Sequence, residues 1–107
     1  MKKFEKIVIL PEDTIKQSMK QINQNGVGSL IVINKRYNVL GVLTDGDIRR
    51  AIFAGKKIDE KIKGIYSKKI IKYQDSKFNI EELEKKSLEK NINIIPNLKK
   101  NKLVDYY

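Results

Sequence analysis

The chain has 107 residues, 23 Lys and Arg against 13 Asp and Glu, a formal net charge of +10, and neither cysteine nor histidine. Disulfides, thiolate nucleophiles, Cys/His zinc sites, histidine acid–base catalysis and serine–histidine triads are thereby excluded. One compact domain or two small halves sharing a core fit this length, and no apolar run approaches the ~20 residues of a membrane span.

The first six residues start basic, and Ile7-Val8-Ile9-Leu10 is shorter than the ~7–15 apolar residues of a signal peptide. A cytoplasmic chain with a true start at Met1 is expected. Thr14 and Gln17 have the spacing of a capping box. Ile15, Met19 and Ile22 then fall on one face of a helix, which Asn25-Gly26 ends. Leu30-Ile31-Val32-Ile33 reads as a strand buried on both faces. A polar turn from Asn34 to Asn38 leads to a partner strand, Val39-Leu40-Gly41-Val42-Leu43. Thr44-Asp45-Gly46-Asp47 then caps a second helix with Ile48, Ala51 and Ile52 on its apolar stripe, stopped by Gly55.

Residues 56–69 form a connector in which Ile58, Ile62 and Ile65 suggest a short helix. The plan then recurs. Ile70-Ile71 opens a second copy, and Asn79 with Glu82 repeats the capping spacing before a helix bearing Ile80, Leu83, Ser87 and Leu88. Ile92 to Pro96 is the next strand, and residues 102–107 its partner. A paired unit explains the repetition, because one such half could not bury its apolar faces alone. The expected fold is therefore mixed α/β (α+β), two βαββα repeats packed as a pair with the second truncated. Residues 1–55 make the first, 56–69 the connector and 70–107 the incomplete second.

Chemistry concentrates between Leu40 and Arg50. There a strand ends, a turn offers a hydroxyl and two carboxylates, and a helix begins with free N–H groups. Helix amides and arginines attract a phosphate, and a neighbouring carboxylate can accept hydrogen bonds from vicinal ribose hydroxyls. Gly46 allows close approach of a ligand. Thr44 and the aspartates are equally suited to ordinary capping, and Arg49 and Arg50 to a solvated surface. The residues alone leave both readings open.

Gly41-Val42-Leu43-Thr44-Asp45-Gly46-Asp47 resembles the Gly-x-x-Thr-x-x-Asp signature closing the second strand of a cystathionine-β-synthase (CBS) motif. The longer run from Thr44 to Ala51 is similar to CBS pairs of bacterial sugar-nucleotide pyrophosphorylases, which are nucleotidyltransferases, and of sugar-phosphate isomerases. The resemblance covers nearly the whole chain. It implies a regulatory, non-catalytic Bateman module that binds AMP, ADP or ATP between its repeats and requires no cofactor or metal. Carried over by position, Thr44 contacts phosphate or ribose, and Asp47 takes the ribose hydroxyls. Gly28, Ser29 and Leu30 hold adenine, and Arg49 or Arg50 faces phosphate. A homodimer is implied, as is a catalytic domain following Tyr107, a nucleotidyltransferase if the repeats come first. A ligand-free structural or dimerisation module is the alternative.

In the second copy Asn97 and Asp105 depart from the family pattern and no Thr-x-x-Asp element follows, so one complete site at most is expected. The lysines are spread along the chain, without an RNA-binding aromatic motif or an arginine-rich helix, which argues against a nucleic-acid partner despite the charge. Glu81, Glu82 and Glu84 read as a solvated helix face.

Overall fold

The computed structural model of the chain describes residues 5–68 and the strands at 73–74, 96–99 and 102–106. Within it, β1 (Val8–Ile9), α1 (Ile15–Asn25), β2 (Ser29–Ile33), β3 (Val39–Thr44) and α2 (Asp45–Phe53) follow in order. Then come β4 (Tyr73–Gln74), β5 (Pro96–Lys99) and β6 (Lys102–Tyr106). The first three strands form a sheet ordered β1-β2-β3, and the last three one ordered β4-β5-β6. In each, the first pair is parallel and the second antiparallel. Each antiparallel pair carries one register irregularity, at Val32/Ile33 and at Asn97/Leu98. The fold is mixed α+β, and the shared connectivity matches the repetition in the sequence. The expected Ile70-Ile71 lead-in, the helix after Asn79 with its glutamates, and the Ile92–Ile95 part of the next strand lie outside the described residues.

β2 is the centre of its sheet and every one of its residues is buried. Alternation sends its side chains into two clusters. Ile31 and Ile33 join Ile7, Val39 and Val42 on one face. Leu30 and Val32 join Ile9, Ile15, Leu43, Ile48 and Ile62 on the helix-bearing face. A continuous β-branched run suits a strand covered on both sides.

The α1 cap forms as the spacing predicts. Thr14 Oγ1 accepts from Gln17 N (3.2 Å), while Thr14 N donates to Gln17 Oε1 (2.8 Å). Gly26, at φ 69°, closes the helix with its N–H on the Ile22 carbonyl. The buried face differs from expectation. Ser18 is wholly buried beside Ile15, whereas Met19 is 43% exposed. The small Ser18 lets the helix lie close on the core, and its hydroxyl donates to the Ile15 carbonyl (2.6 Å), so no polar group is stranded. On α2, Ile48 and Ala51 are buried but Ile52 is 39% exposed, leaving the stripe narrower than the sequence suggested. Gly55, at φ 103°, follows the C-cap Ala54 and completes a Schellman closure, with Gly55 N on the Ile52 carbonyl and Lys56 N on the Ala51 carbonyl.

The connector forms no helix among its described residues. It runs as turns and isolated bridges that strap the first sheet. Glu60 and Ile58 carbonyls accept from Ile15 N (2.9 Å) and Lys16 N (2.8 Å), the first two amides of α1. Those amides have no partner inside the helix, so tertiary hydrogen bonds outweigh the weak local preference of a short segment. Ile62 is fully buried in the helix-side core while Ile58 is 46% exposed, which a shared helical face would not produce.

Candidate functional site

The site is built where β3 passes directly into α2. Thr44 is both the last residue of β3 and the N-cap, with extended backbone at φ −104°, ψ 163°. Its Oγ1 accepts from Asp47 N (3.0 Å), and its N donates to Asp47 Oδ2 (2.9 Å). Helical geometry therefore starts at Asp45. Of the four residues expected to form the cap, Thr44 supplies it, and Asp47 closes it as a capping box. Asp45 and Asp47 both sit in the first turn, where the helix dipole favours negative charge.

Two segments distant in sequence meet here. Ser29 is the register partner of Thr44, and Asp45 N donates to the Gly28 carbonyl (3.0 Å). Gly28 adopts φ 87°, a left-handed conformation that glycine takes without strain and that turns the chain into β2. Asn25 braces the same turn, its Nδ2 donating to the Ser29 carbonyl (3.3 Å) and its Oδ1 accepting from Val27 N (2.7 Å). Ser29 is buried and Thr44 and Asp47 are half-buried. The Leu30 side chain is wholly buried in the core with Leu43 and Ile48, so near the turn this strand offers the backbone of Gly28 and Ser29.

The two arginines have different settings. Arg49 Nη1 donates to Asp45 Oδ2 (2.6 Å) in a pair open to solvent on both sides. Arg50 Nη2 donates to Asp47 Oδ1 (2.8 Å), and the Asp47 side chain is only 14% exposed. The Arg50 guanidinium also lies across Gly46, where an added Cβ would come within 3.2 Å of Nη1. Both oxygens of Asp47 are thus engaged, one by the Thr44 amide and one by Arg50, though each retains a second acceptor site.

The two helix N-termini also differ. On α1 the first four amides all have acceptors: Glu60, Ile58, Thr14 Oγ1 and the Thr14 carbonyl. On α2, Asp45 N and Asp47 N are taken by Gly28 and Thr44. The Arg50 guanidinium covers the side of Gly46 on which a side chain would stand.

Sequence reasoning missed the part played by Gly41. An added Cβ there would press into the Ser67 carbonyl oxygen and lie 2.7 Å from Tyr66 Cδ2. Ser67 pairs with Val42 in both directions, N to O at 3.0 Å and O to N at 2.9 Å. The glycine of the Gly-x-x-Thr-x-x-Asp run is therefore the place where the connector is clamped onto β3, just ahead of the Thr44 turn. A glycine inside an otherwise apolar strand is the signal that could have revealed it.

Comparison with known proteins places this geometry. The sequence profile of the CBS domain matches residues 1–54. An uncharacterized protein of Helicobacter pylori strain J99 is 32% identical over 56 residues, which is 52% of this chain and 17% of that protein. A Chlamydia muridarum protein, also uncharacterized, is 33% identical over 42 residues, 39% of this chain and 13% of its own length. The chain thus spans under a fifth of these curated relatives.

Among solved structures, the CBS-domain containing protein ATU1752 from Agrobacterium tumefaciens superposes with a TM-score of 0.79 at 16% identity, over 94% of this chain and 81% of that one. An uncharacterized conserved protein from Pyrococcus horikoshii is 27% identical, with a TM-score of 0.76 over 94% of this chain and 76% of its own. A CBS domain protein from Pyrobaculum aerophilum, solved in complex with AMP, gives 0.80 at 19% identity, over 94% and 78%.

Proposed function

The chain belongs to the CBS-domain family, and from that premise we propose that it is a regulatory module that binds an adenine nucleotide at the β3–α2 turn. One observation carries the reading. The backbone of Gly28 and Ser29 is held against Thr44 and Asp45, so the segment suited to adenine and the residues suited to ribose and phosphate meet at one place. Support also comes from the Pyrobaculum aerophilum protein of the same fold, which was solved with AMP.

In this reading Asp47 accepts hydrogen bonds from the ribose hydroxyls through the acceptor sites its capping role leaves open. Thr44 fixes the carboxylate, and the arginines supply positive charge for phosphate. Calorimetric titration with AMP, ADP and ATP tests it. Binding of one of the three that Asp47→Asn weakens at least about tenfold is expected, since a charge-assisted hydrogen bond of this kind is worth about 1.5–3 kcal/mol. Asparagine keeps an acceptor for the Thr44 amide, so the cap survives. No heat with any of the three would end the proposal.

The module is proposed to consist of the two repeats at 1–55 and 70–107 joined by 56–69, and to regulate a sugar-phosphate nucleotidyltransferase. The run Thr44–Ala51 supports that parent enzyme, with a sugar-phosphate isomerase as the alternative. A second reading is a dimerisation module that needs no ligand. It is favoured by the apolar end of α2, where Ile52 is 39% and Phe53 95% exposed. Among the described residues no helix is long and apolar enough to cross a membrane.

A further inference from the structure

Asn25-Gly26 is the one Asn-Gly step in the chain, and it sits where three segments meet. Asn25 ends α1 and is half-buried, while Gly26 beside it is exposed. The Asn25 carboxamide is held at both ends. Its Oδ1 accepts from Val27 N (2.7 Å), which fixes which end is the oxygen. Its Nδ2 donates to the Lys6 carbonyl (3.0 Å) and to the Ser29 carbonyl (3.3 Å). One turn earlier, Gln21 Nε2 donates to the carbonyls of Glu5 (3.2 Å) and Val8 (2.9 Å). Two carboxamides on one face of α1 therefore fasten the lead-in of residues 5–8, and one of them also fastens the start of β2.

We propose that Asn25 is a deamidation site guarded by this lead-in, and that its conversion releases the lead-in irreversibly. The Gly26 nitrogen gives its proton to solvent base and attacks Asn25 Cγ. The N–Cγ bond forms, the Cγ–Nδ2 bond breaks, and ammonia leaves after taking a proton from water, which restores the base. Water then adds across either C–N bond of the cyclic imide. Opening at Cγ gives aspartate and opening at the main-chain carbonyl gives isoaspartate, so the net change is amide plus water to acid plus ammonia. Glycine favours the attack because no side chain crowds its nitrogen. A Cβ built on Gly26 meets nothing within 4 Å, so solvent reaches this step freely. The closed structure nevertheless blocks it. Gly26 N donates to the Ile22 carbonyl (3.2 Å), and the carboxamide must leave three partners before it can swing onto that nitrogen. The ties to Glu5 and Lys6 are exposed hydrogen bonds, of the kind that open locally while the rest of a fold stays closed. A carboxylate at position 25 still accepts from Val27 N but has nothing to donate. The Lys6 and Ser29 carbonyls then face an anion in place of an amide donor, so the latch does not re-form and the opening becomes permanent.

The test incubates the full chain in mildly alkaline buffer. Ion-exchange chromatography resolves the added negative charge, and peptide mass mapping assigns it to position 25. Folded wild type is expected to react at least about tenfold more slowly than the same chain unfolded in urea. Gln21→Ala loosens the lead-in without touching Asn25, and is expected to raise the folded rate about threefold or more while leaving the rate in urea unchanged. Thr44→Ala weakens the cap of α2, away from the lead-in, and should leave the folded rate as it is. Asn25→Asp reproduces the product and should speed hydrogen exchange at Ile31 N, which donates to the Ile7 carbonyl (2.7 Å), more than at Val42 N, which donates to the Ser67 carbonyl on the opposite edge of the sheet. Equal rates in the folded and unfolded chain overturn the proposal. So does a folded rate indifferent to Gln21→Ala, and so does an equal rise in Thr44→Ala, which would make global unfolding the guard. Unchanged exchange at Ile31 in Asn25→Asp overturns the release of the lead-in, and if that variant does not fold, the same exchange measured on the isolated deamidated product decides it.

Discussion

At Gly41 the connector passes so close to β3 that only a hydrogen can occupy the side-chain position. Gly41→Ala must push back backbone rather than a flexible side chain, and a loss of about 2 kcal/mol or more is expected by urea denaturation. Gly46 is the contrasting case. Its neighbour is the far end of Arg50, and its backbone is not left-handed. Gly46→Ala should therefore leave stability within about 0.5 kcal/mol of wild type or raise it, because alanine is the better helix former. Thr44→Ala removes the hydroxyl that accepts from Asp47 N and should cost about 1 kcal/mol, visible as a lower thermal midpoint. The Thr-x-x-Asp spacing was legible because a capping box is a local device, readable from residues three apart. The difference between Arg49 and Arg50 was not, since neighbouring helix positions point about 100° apart and only the helix's seating decides which of them lies over the turn.

Among the elements, the caps of α1 and α2 and the strands β2 and β3 follow from local chemistry and form where the sequence placed them, whereas β5 (Pro96–Lys99) shares only Pro96 with the strand expected at Ile92–Pro96. The elements that departed were those whose partners are distant. Apolarity marked Met19 for burial, yet the smaller Ser18 faces the core. Regular isoleucine spacing suggested a helix in the connector, yet its carbonyls serve α1 and its Ile62 fills the core. Ile62→Ala should consequently destabilise the fold by about 2–5 kcal/mol, as a core truncation does. Ile58→Ala, at a position 46% exposed, should stay within about 0.5 kcal/mol. Paired denaturation curves of the two variants check this. Comparable losses would mean that the connector packs as a helix with both isoleucines inside.

For the molecule as a whole, a net charge of +10 is a statement about long-range attraction to anions, not about fold. Residual association with RNA is expected to be non-specific and to vanish as salt rises from about 50 to about 200 mM, as fluorescence anisotropy on a short oligonucleotide would report. Binding that survives that range would point to a dedicated nucleic-acid surface. The exposed Phe53 and Ile52 make a second prediction at this scale. If α2 pairs two copies, Phe53→Ser lowers the mass seen by light scattering toward the monomer while the unfolding midpoint at low concentration stays put. An unchanged mass removes α2 from the interface.

The sequence by itself determined the periodicity of the elements, the two α-helix N-caps, the burial of β2 on both faces and the Gly-x-x-Thr-x-x-Asp run. All are set within a few residues by sterics, hydrogen-bond capacity and apolar alternation. Tertiary structure alone decided that Gly28 and Ser29 lie against Thr44 and Asp45, that the connector clamps β3 at Gly41, and which arginine rests on Asp47. Those outcomes depend on which surfaces are pressed together when the sheet and helices close over one core, and residues far apart in the chain meet only then.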